Sequence, residues 1–452
     1  MKRLQIYIDH DIIIRHFILN HTFARLEEAY DIQYVFPQND PRRVTTEVAS
    51  LGLKNVALLP VDRERLGMLR RLAKIRGLKI ARENRNYRFV DNTWRKLFPR
   101  QDYVKFKRRS WPVIHQLYTW YILRKAGRGA DMARLIQEFR PHAILHPTVL
   151  EGLFIADLAM LTREMGLPLV ALMNSWDNPS TKAQLVRPPD WLVVWGEQTR
   201  QHAVEFLGMK PEGVKIMGAA QFQAYRQPPR LSREDYCALM GADPANKLIL
   251  YAGSSKSINE MAHLQHLEDS VRQGALAGCH IVFRPHPWRA PASDEPDFWD
   301  IPWRHVSMDP MMRDFYIGPR STPKVHLTSV EDTHVALSAI DLLISNMSTI
   351  MLEAVIHQKP VVCMISREDE AANDFLQVTL NSLYFQDLLE KVDIVRCENL
   401  ADIGAYCRRQ LDQAQDPAFR ERLAQQGRYF IDLGGQPYGD QLREFIDELL
   451  GR

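Results

Sequence analysis

The sequence has no CxxC pair: its five cysteines, at 237, 279, 363, 397 and 407, stand apart. That scatter suggests neither a zinc site nor a disulfide framework, which fits a reducing compartment. No apolar run approaches the ~18 uninterrupted residues of a membrane-spanning helix. Lys2 and Arg3 are followed by an apolar stretch, but Asp9, Asp11 and Arg15 interrupt it. The opening therefore reads as a first strand and not as a signal peptide. Neither GxGxxG nor GxxxxGK[ST] occurs, so dinucleotide and P-loop sites have no fingerprint. Internal repeats and low-complexity segments are also missing.

What is present is a 452-residue chain of globular composition, too long for one ordinary core, so two domains are expected. Its net charge of +3 hides an asymmetry. From Arg42 to Arg128, 23 Lys or Arg stand against 6 Asp or Glu, a local balance of +17 that leaves the remainder at −14. Aromatics are interleaved through this section: Tyr87, Phe89, Trp94, Phe98, Tyr103, Phe106, Trp111, Tyr118, Trp120 and Tyr121. Such a mixture suits an anionic lipid surface or a nucleic-acid single strand, or else a solvated basic face over core aromatics.

Strands and helices alternate along the chain. Strands are expected at 4–8, 32–36 and 56–59 and a helix at 17–30, before helices at 62–76 and 112–126 of the basic section. Alternation then resumes with strands at 143–145, 168–173, 191–195 and 214–217 and helices at 154–165 and 197–207. A second set follows: strands 248–251, 280–284, 325–327, 342–344, 361–365 and 392–396, and helices 259–273, 331–339, 399–412, 417–426 and 437–450. The fold class is thus α/β, with two Rossmann-like, doubly wound domains facing a cleft. The expected boundaries are 1–217 for the first domain with an insertion at 40–130, 218–230 for a linker, and 231–435 for the second domain. A C-terminal helix at 436–452 is expected to pack back on the first.

In open parallel sheets ligands bind at the carboxyl ends of the strands, and the informative polar groups fall there. Strand 248–251 runs into Gly253-Ser254-Ser255-Lys256, a small hydroxyl-rich turn with a cation. Strand 280–284 ends in Arg284-Pro285-His286-Pro287, which offers charge-assisted hydrogen bonds between fixed prolines. Strand 342–344 ends in Ser345-Asn346-Met347-Ser348-Thr349, where Ser348 and Thr349 open a helix and Glu353 stands one turn further in. All three ends have chemistry suited to phosphate oxygens, and the carboxylate suits a ribose.

The motifs FRPHP (283–287), ISNMST (344–349), LEAVIHQKPVV (352–362), DWLVVWGEQTRQH (190–202) and SWDNPSTK (175–182) are where the chain resembles a known family. It is similar to GT-B glycosyltransferases of the bacterial surface-polysaccharide type, a group that includes CDP-glycerol glycerophosphotransferases and CMP-sialic acid or Kdo transferases. The resemblance spans roughly residues 140–366 and leaves the basic section unmatched. It implies donor phosphates on Ser348, Thr349 and His286 and the donor ribose on Glu353. Gly253, Ser254, Ser255, Lys256, Arg284 and Asn346 complete the expected nucleotide site.

An inverting transfer needs a base for the acceptor hydroxyl. Two glutamates eight apart, as retaining relatives have, are absent, since Ser345 stands eight before Glu353. Glu151 in HPTVLEG is the first candidate for the base, ahead of Asp177 in SWDN and of Asp9, His10 or Asp11; Leu150 replaces the first acid of the motif that Glu151 resembles. Asp9-His10-Asp11 also reads as the metal-binding DxD of another transferase class, but it lies on the first strand, so no metal and no cofactor beyond the nucleotide-sugar substrate are expected. The activity implied is transfer of a sugar to a surface glycan, lipid-linked or protein acceptor, in the cytoplasm or peripherally on the inner face of the membrane. The basic section, residues 62–128 in particular, would meet anionic lipid, and no nucleic acid is expected. Three alternatives remain: a glycerophosphotransferase, a nucleotide-sugar 2-epimerase, and a membrane or nucleic-acid binding protein with no transferase activity.

Overall fold

Strands that are each followed by a crossover helix cannot pair as hairpins, so they build parallel sheets. The computed structural model has two of them. It describes all residues except 39, 41–42, 85–90, 92–93, 97, 149, 151, 183–184, 255–257, 288–294, 318–328, 373 and 452. The chain divides into unit 1 (Met1–Gln223, Ser382–Tyr384 and Phe430–Arg452) and unit 2 (Ala224–Asn381 and Phe385–Tyr429).

Unit 1 has strands β1 (Arg3–Tyr7), β2 (Asp31–Gln38), β3 (Val56–Pro60), β4 (Ala143–Thr148), β5 (Leu169–Met173), β6 (Trp191–Val194) and β7 (Val214–Ile216). Their spatial order is β3-β2-β1-β4-β5-β6-β7, with every pair parallel. Its helices include α1 (Arg63–Glu83), α2 (Arg100–Arg109), α3 (Pro112–Ala126), α4 (Ala130–Phe139), α5 (Ile155–Met165) and α6 (Glu197–Leu207). Unit 2 has β8 (Lys247–Ala252), β9 (Cys279–Arg284), β10 (Val306–Met308), β11 (Leu342–Ser345), β12 (Val361–Met364) and β13 (Val395–Cys397), in the order β10-β9-β8-β11-β12-β13 and again all parallel. Its helices include α7 (Arg233–Met240), α8 (Glu260–Arg272), α9 (Val330–Ala339), α10 (Ile350–Ile356), α11 (Ile403–Gln413) and α12 (Pro417–Arg428). Each sheet has the doubly wound order, in which the winding reverses between β1 and β4 in unit 1 and between β8 and β11 in unit 2. Those two reversals are where ligand sites belong.

Strands β4, β5, β9, β11 and β12 are buried along their whole length, on both faces. Helix α13 (Tyr438–Leu449), beyond unit 2 in the chain, places Tyr438, Leu442, Phe445 and Ile446 in the core of unit 1 beside Phe17, Leu26 and Tyr30. The division falls between Gln223 and Ala224, inside the stretch expected as a linker.

Three sequence expectations fare differently. The helix expected over 17–30 is replaced by a π-helical turn at Ile14–Ile18 and a short helix at Ala24–Glu27. β10 was not foreseen, because its three residues carry too little pattern, and the strand expected at 325–327 lies outside the described residues. In the basic section the aromatics sort by role. Trp94 and Tyr103 are buried with Leu78 and Phe206 in a satellite core, and Phe98 and Phe106 pack against it. Trp111, Trp120 and Tyr121 face outward.

Candidate functional site

At the reversal of unit 2, β8 and β11 pair through Ala252 and Ser345, so the turns that follow them are adjacent. Asn346 comes directly after β11. It is 4% exposed, and among the described residues neither Nδ2 nor Oδ1 of its amide has a hydrogen-bond partner; the Oγ of Ser345 has none either. A buried polar group left unpaired costs about 1–3 kcal/mol, so an amide in this state favours a ligand that can pair with it. Met347 then adopts φ 34°, a left-handed conformation that is costly for a side chain of its size. This turn brings Ser348 and Thr349 to the start of α10, where Thr349 makes no side-chain capping bond. Glu353, half-buried one turn on, accepts a hydrogen bond from the Tyr225 hydroxyl. The Tyr225 ring packs on His334 and His357 at 5.1 and 4.6 Å. Nothing in the sequence pattern marked Tyr225, which lies 128 residues from its partner.

The other expected nucleotide-site residues are placed unevenly. His286 lies two residues beyond β9 and is half-buried. Arg284 does not present its guanidinium as a surface cation. It forms a buried ion pair with Asp309 and donates to Thr333 Oγ1 at 3.0 Å. Burial alone would lower its pKa, but Asp309, Tyr236 and Glu353 together raise it. Its role here is to fix the end of β9. At the end of β8 the Ser254 N–H donates to Glu260 Oε1 at 2.5 Å, and a Cβ on Gly253 would come within 2.7 Å of the same oxygen. A carboxylate of the protein thus occupies this part of the turn expected to hold phosphate. Ser255 and Lys256 lie outside the described residues.

The reversal of unit 1 is also built from buried polar groups. Asp9, just beyond β1, is 1% exposed; its Oδ2 accepts the Leu153 N–H at 2.5 Å and lies 3.6 Å from Arg43 Nη1. Its Oδ1 has no hydrogen-bond partner among the described residues. His146 on β4 donates Nδ1–H to the Tyr7 carbonyl at 2.9 Å, which leaves Nε2 as an acceptor, likewise without a partner among the described residues. Burial lowers the His146 pKa against the pull of Asp9, so the ring is held neutral. Gly152 packs between the two: a Cβ there would be 2.2 Å from Asp9 Oδ2 and 3.5 Å from His146 Nε2. Leu150, like Met347 in unit 2, is left-handed, with φ 60°. Both reversal turns therefore hold a bulky residue in a strained conformation, which a search for glycine-rich turns could not have found.

Glu151 itself lies outside the described residues, between Leu150 and Gly152. The rival bases are described. Asp11 accepts from the N–H and Oγ1 of both Thr45 and Thr46, and these four bonds outweigh burial and hold its carboxyl below the usual range. Its oxygens are committed to that turn. His10 caps the short helix at Asp11–Ile13 by accepting the Ile12 N–H on Nδ1 at 3.1 Å, so the neutral ring carries its proton on Nε2 and faces a partner as a donor. Burial and then Arg43 lower its pKa, against Asp9, Asp11 and Asp40. Asp177 accepts from Ser175 Oγ at 2.6 Å and Thr181 Oγ1 at 3.2 Å, and so organises its own loop, which continues as a π-helical turn at Asn178–Lys182. Among the described residues no group of three or more His, Cys, Asp or Glu is placed to hold a metal ion.

Two buried histidines give a pH signature. His16 donates Nδ1–H to Asn174 Oδ1 at 2.6 Å, and burial, followed by Arg15, pushes its pKa down to about 3. His357 is pushed down to about 4, chiefly by burial and against its bond to the Glu353 carbonyl. Unfolding frees both to bind protons near pH 6.5, so this contribution to stability is whole above pH 6.5 and is lost as pH falls toward 4. Between pH 7 and 5 each should cost about 2 kcal/mol. Urea unfolding at the two pH values measures this, and His16→Asn should flatten the dependence of unit 1. Equal stability at both pH values in the parent would contradict the buried neutral rings.

No protein-family model and no curated protein matches the sequence. Solved structures match its fold. The chain is similar to Staphylococcus aureus MnaA in its structure with UDP (12% identity, 100% of this chain and 97% of that one, TM-score 0.52). It is similar to the glycotransferase of kitacinnamycin (13% identity, 99% of both chains, TM-score 0.52). It is similar also to the UDP-GlcNAc 2-epimerase of Neisseria meningitidis bound to UDP-GlcNAc (10% identity, 100% of both chains, TM-score 0.52).

Proposed function

From the premise that the chain has the GT-B fold, two Rossmann-like domains each with a ligand-type strand reversal, we propose that it is a glycosyltransferase that uses a nucleotide-activated sugar. The observation that carries this is Asn346, a buried amide with no partner among the described residues, at the β11 end of the reversal in unit 2, beside Ser348, Thr349 and Glu353. Asn346, Ser348, Thr349 and His286 bind the donor's phosphates and sugar, and Glu353, positioned by Tyr225, accepts from the ribose. Arg284 supports the His286 turn from behind. In the reaction the acceptor hydroxyl gives its proton to Glu151, its oxygen bonds to the anomeric carbon, and the sugar–phosphate C–O bond breaks with its electron pair leaving on the nucleotide. The transfer inverts the anomeric centre, needs no metal, and serves surface-polysaccharide synthesis in the cytoplasm.

The same fold hosts an epimerase, which makes that the second reading. The segment from Asn346 to Ala354 has a single acid, Glu353, already bonded to Tyr225, whereas the epimerases carry two in a glycine-rich stretch. That difference favours transfer. Titration calorimetry with UDP first, then CDP, CMP and GDP, should find one that binds, and His286→Ala and Ser348→Ala should each weaken it by roughly 1–3 kcal/mol. With the matching sugar donor, nucleotide release should require an acceptor and survive EDTA. A sugar epimerised with no nucleotide released would make the epimerase the answer, and no binding of any nucleotide would remove both.

A further inference from the structure

Between Tyr103 and Ala126 the sequence has six Lys or Arg and no Asp or Glu. The same stretch holds Val104, Trp111, Val113, Ile114, Leu117, Trp120 and Tyr121, seven of the thirteen large apolar side chains exposed among the described residues. Helix α3 is apolar on two faces. One, with Ile122 buried and Tyr118 and Leu123 half-buried, packs on α1. At roughly 100° per residue, Val113, Ile114, Leu117, Trp120 and Tyr121 share an arc of about 120° on the opposite side. Val113, Leu117 and Trp120 are 69, 66 and 62% exposed. Cations edge this face. The Arg124 guanidinium lies 5.5 Å over the Trp120 ring and Arg82 lies 4.3 Å over Trp111, while Lys105, Arg108 and Lys125 are exposed.

We propose that this face of α3, with the flanking cations of α2, is a docking surface for an anionic phospholipid bilayer. The helix would lie in the plane of the interface, since its 15 residues are too short to span and, among the described residues, no helix is long and apolar enough to cross a membrane. Indole and phenol rings settle at headgroup level, Val113, Ile114 and Leu117 reach the acyl boundary, and the cations meet lipid phosphates. A nucleic acid would use the aromatics for stacking but gains nothing from exposed Val113, Ile114 and Leu117. A symmetric contact with a second copy would set Arg108, Arg124 and Lys125 against like charges, with no acid in the segment to answer them. The proposal is independent of the reaction assigned above.

The test is sedimentation of the full chain with phosphatidylcholine vesicles, with and without phosphatidylglycerol, at low and high KCl. The parent should bind the phosphatidylglycerol vesicles and lose most of that binding in high salt. The double change Leu117→Ala, Trp120→Ala should cut partitioning at least about tenfold with the melting temperature unchanged, because both side chains are already in water. Arg124→Gln with Lys125→Gln should remove several-fold of the part that depends on phosphatidylglycerol. A parent that ignores phosphatidylglycerol, or a Leu117/Trp120 variant that binds like the parent, overturns the proposal. So does binding of oligouridine, or a concentration-dependent dimer, that the double variant loses while vesicles are not bound.

Discussion

Gly152→Ala is expected to remove most of the transfer activity and leave nucleotide affinity as it was. The added Cβ would be built 2.2 Å from Asp9 Oδ2, and that oxygen is held by the Leu153 N–H at 2.5 Å. Either the carboxylate turns away and gives up that bond, or the turn from Leu150 to Leu153 moves by an ångström or more. The first outcome frees the Leu153 N–H that Asp9 fixes, and the second moves Leu150 and Gly152, the chain neighbours of Glu151. Overpacking of this sort costs about 1–3 kcal/mol of stability, and misplacing a base by about 1 Å costs on the order of 10²-fold in turnover. Glu151→Gln isolates the chemistry: it should lower kcat by roughly 10²–10⁴-fold with unchanged melting and unchanged nucleotide binding. Parental turnover in both variants would place the base elsewhere, and Asp177→Asn and His10→Gln then show where.

The second large effect is expected at Asn346. Asn346→Ala should weaken donor binding by about 1–3 kcal/mol, roughly 5- to 150-fold in Kd. Stability should not fall with it. An asparagine bonded within the fold would cost stability when truncated, whereas this amide pairs with nothing among the described residues, and its removal relieves buried polar atoms. Calorimetric affinity and thermal melting on one preparation separate the two cases. A lower melting temperature with parental affinity would mean that Asn346 serves the fold and that the donor lies elsewhere.

Most of the fold was legible because most of the sheet strands are short apolar runs ended by a polar turn, and such runs followed by helices have few alternatives. The strand ends at Asn346 and His286 were legible for the same reason. What the sequence could not show was the direction of side chains fixed by distant partners. Arg284 looked like a phosphate cation until Asp309, 25 residues on, claimed it. Asp11 looked like a base or metal ligand, but Thr45 and Thr46 surround it. The expected helix at 17–30 gave way to a π-helical turn in which His16 bonds to Asn174, 158 residues away. Leu150 and Met347 were hidden by their identity, since neither residue type announces a left-handed turn.

The return of α13 to unit 1 bears on the order in which the protein can mature during synthesis. Residues 1–223 leave the ribosome first, yet the hydrophobic cluster around Phe17, Leu26 and Tyr30 is filled by Tyr438, Leu442, Phe445 and Ile446. At about 5–20 residues per second, the ~200 residues in between impose a wait on the order of 10–40 s during which that apolar surface stays uncovered. The half made first is therefore the half finished last, and the apolar surface left open longest on the nascent chain is at its N-terminal end.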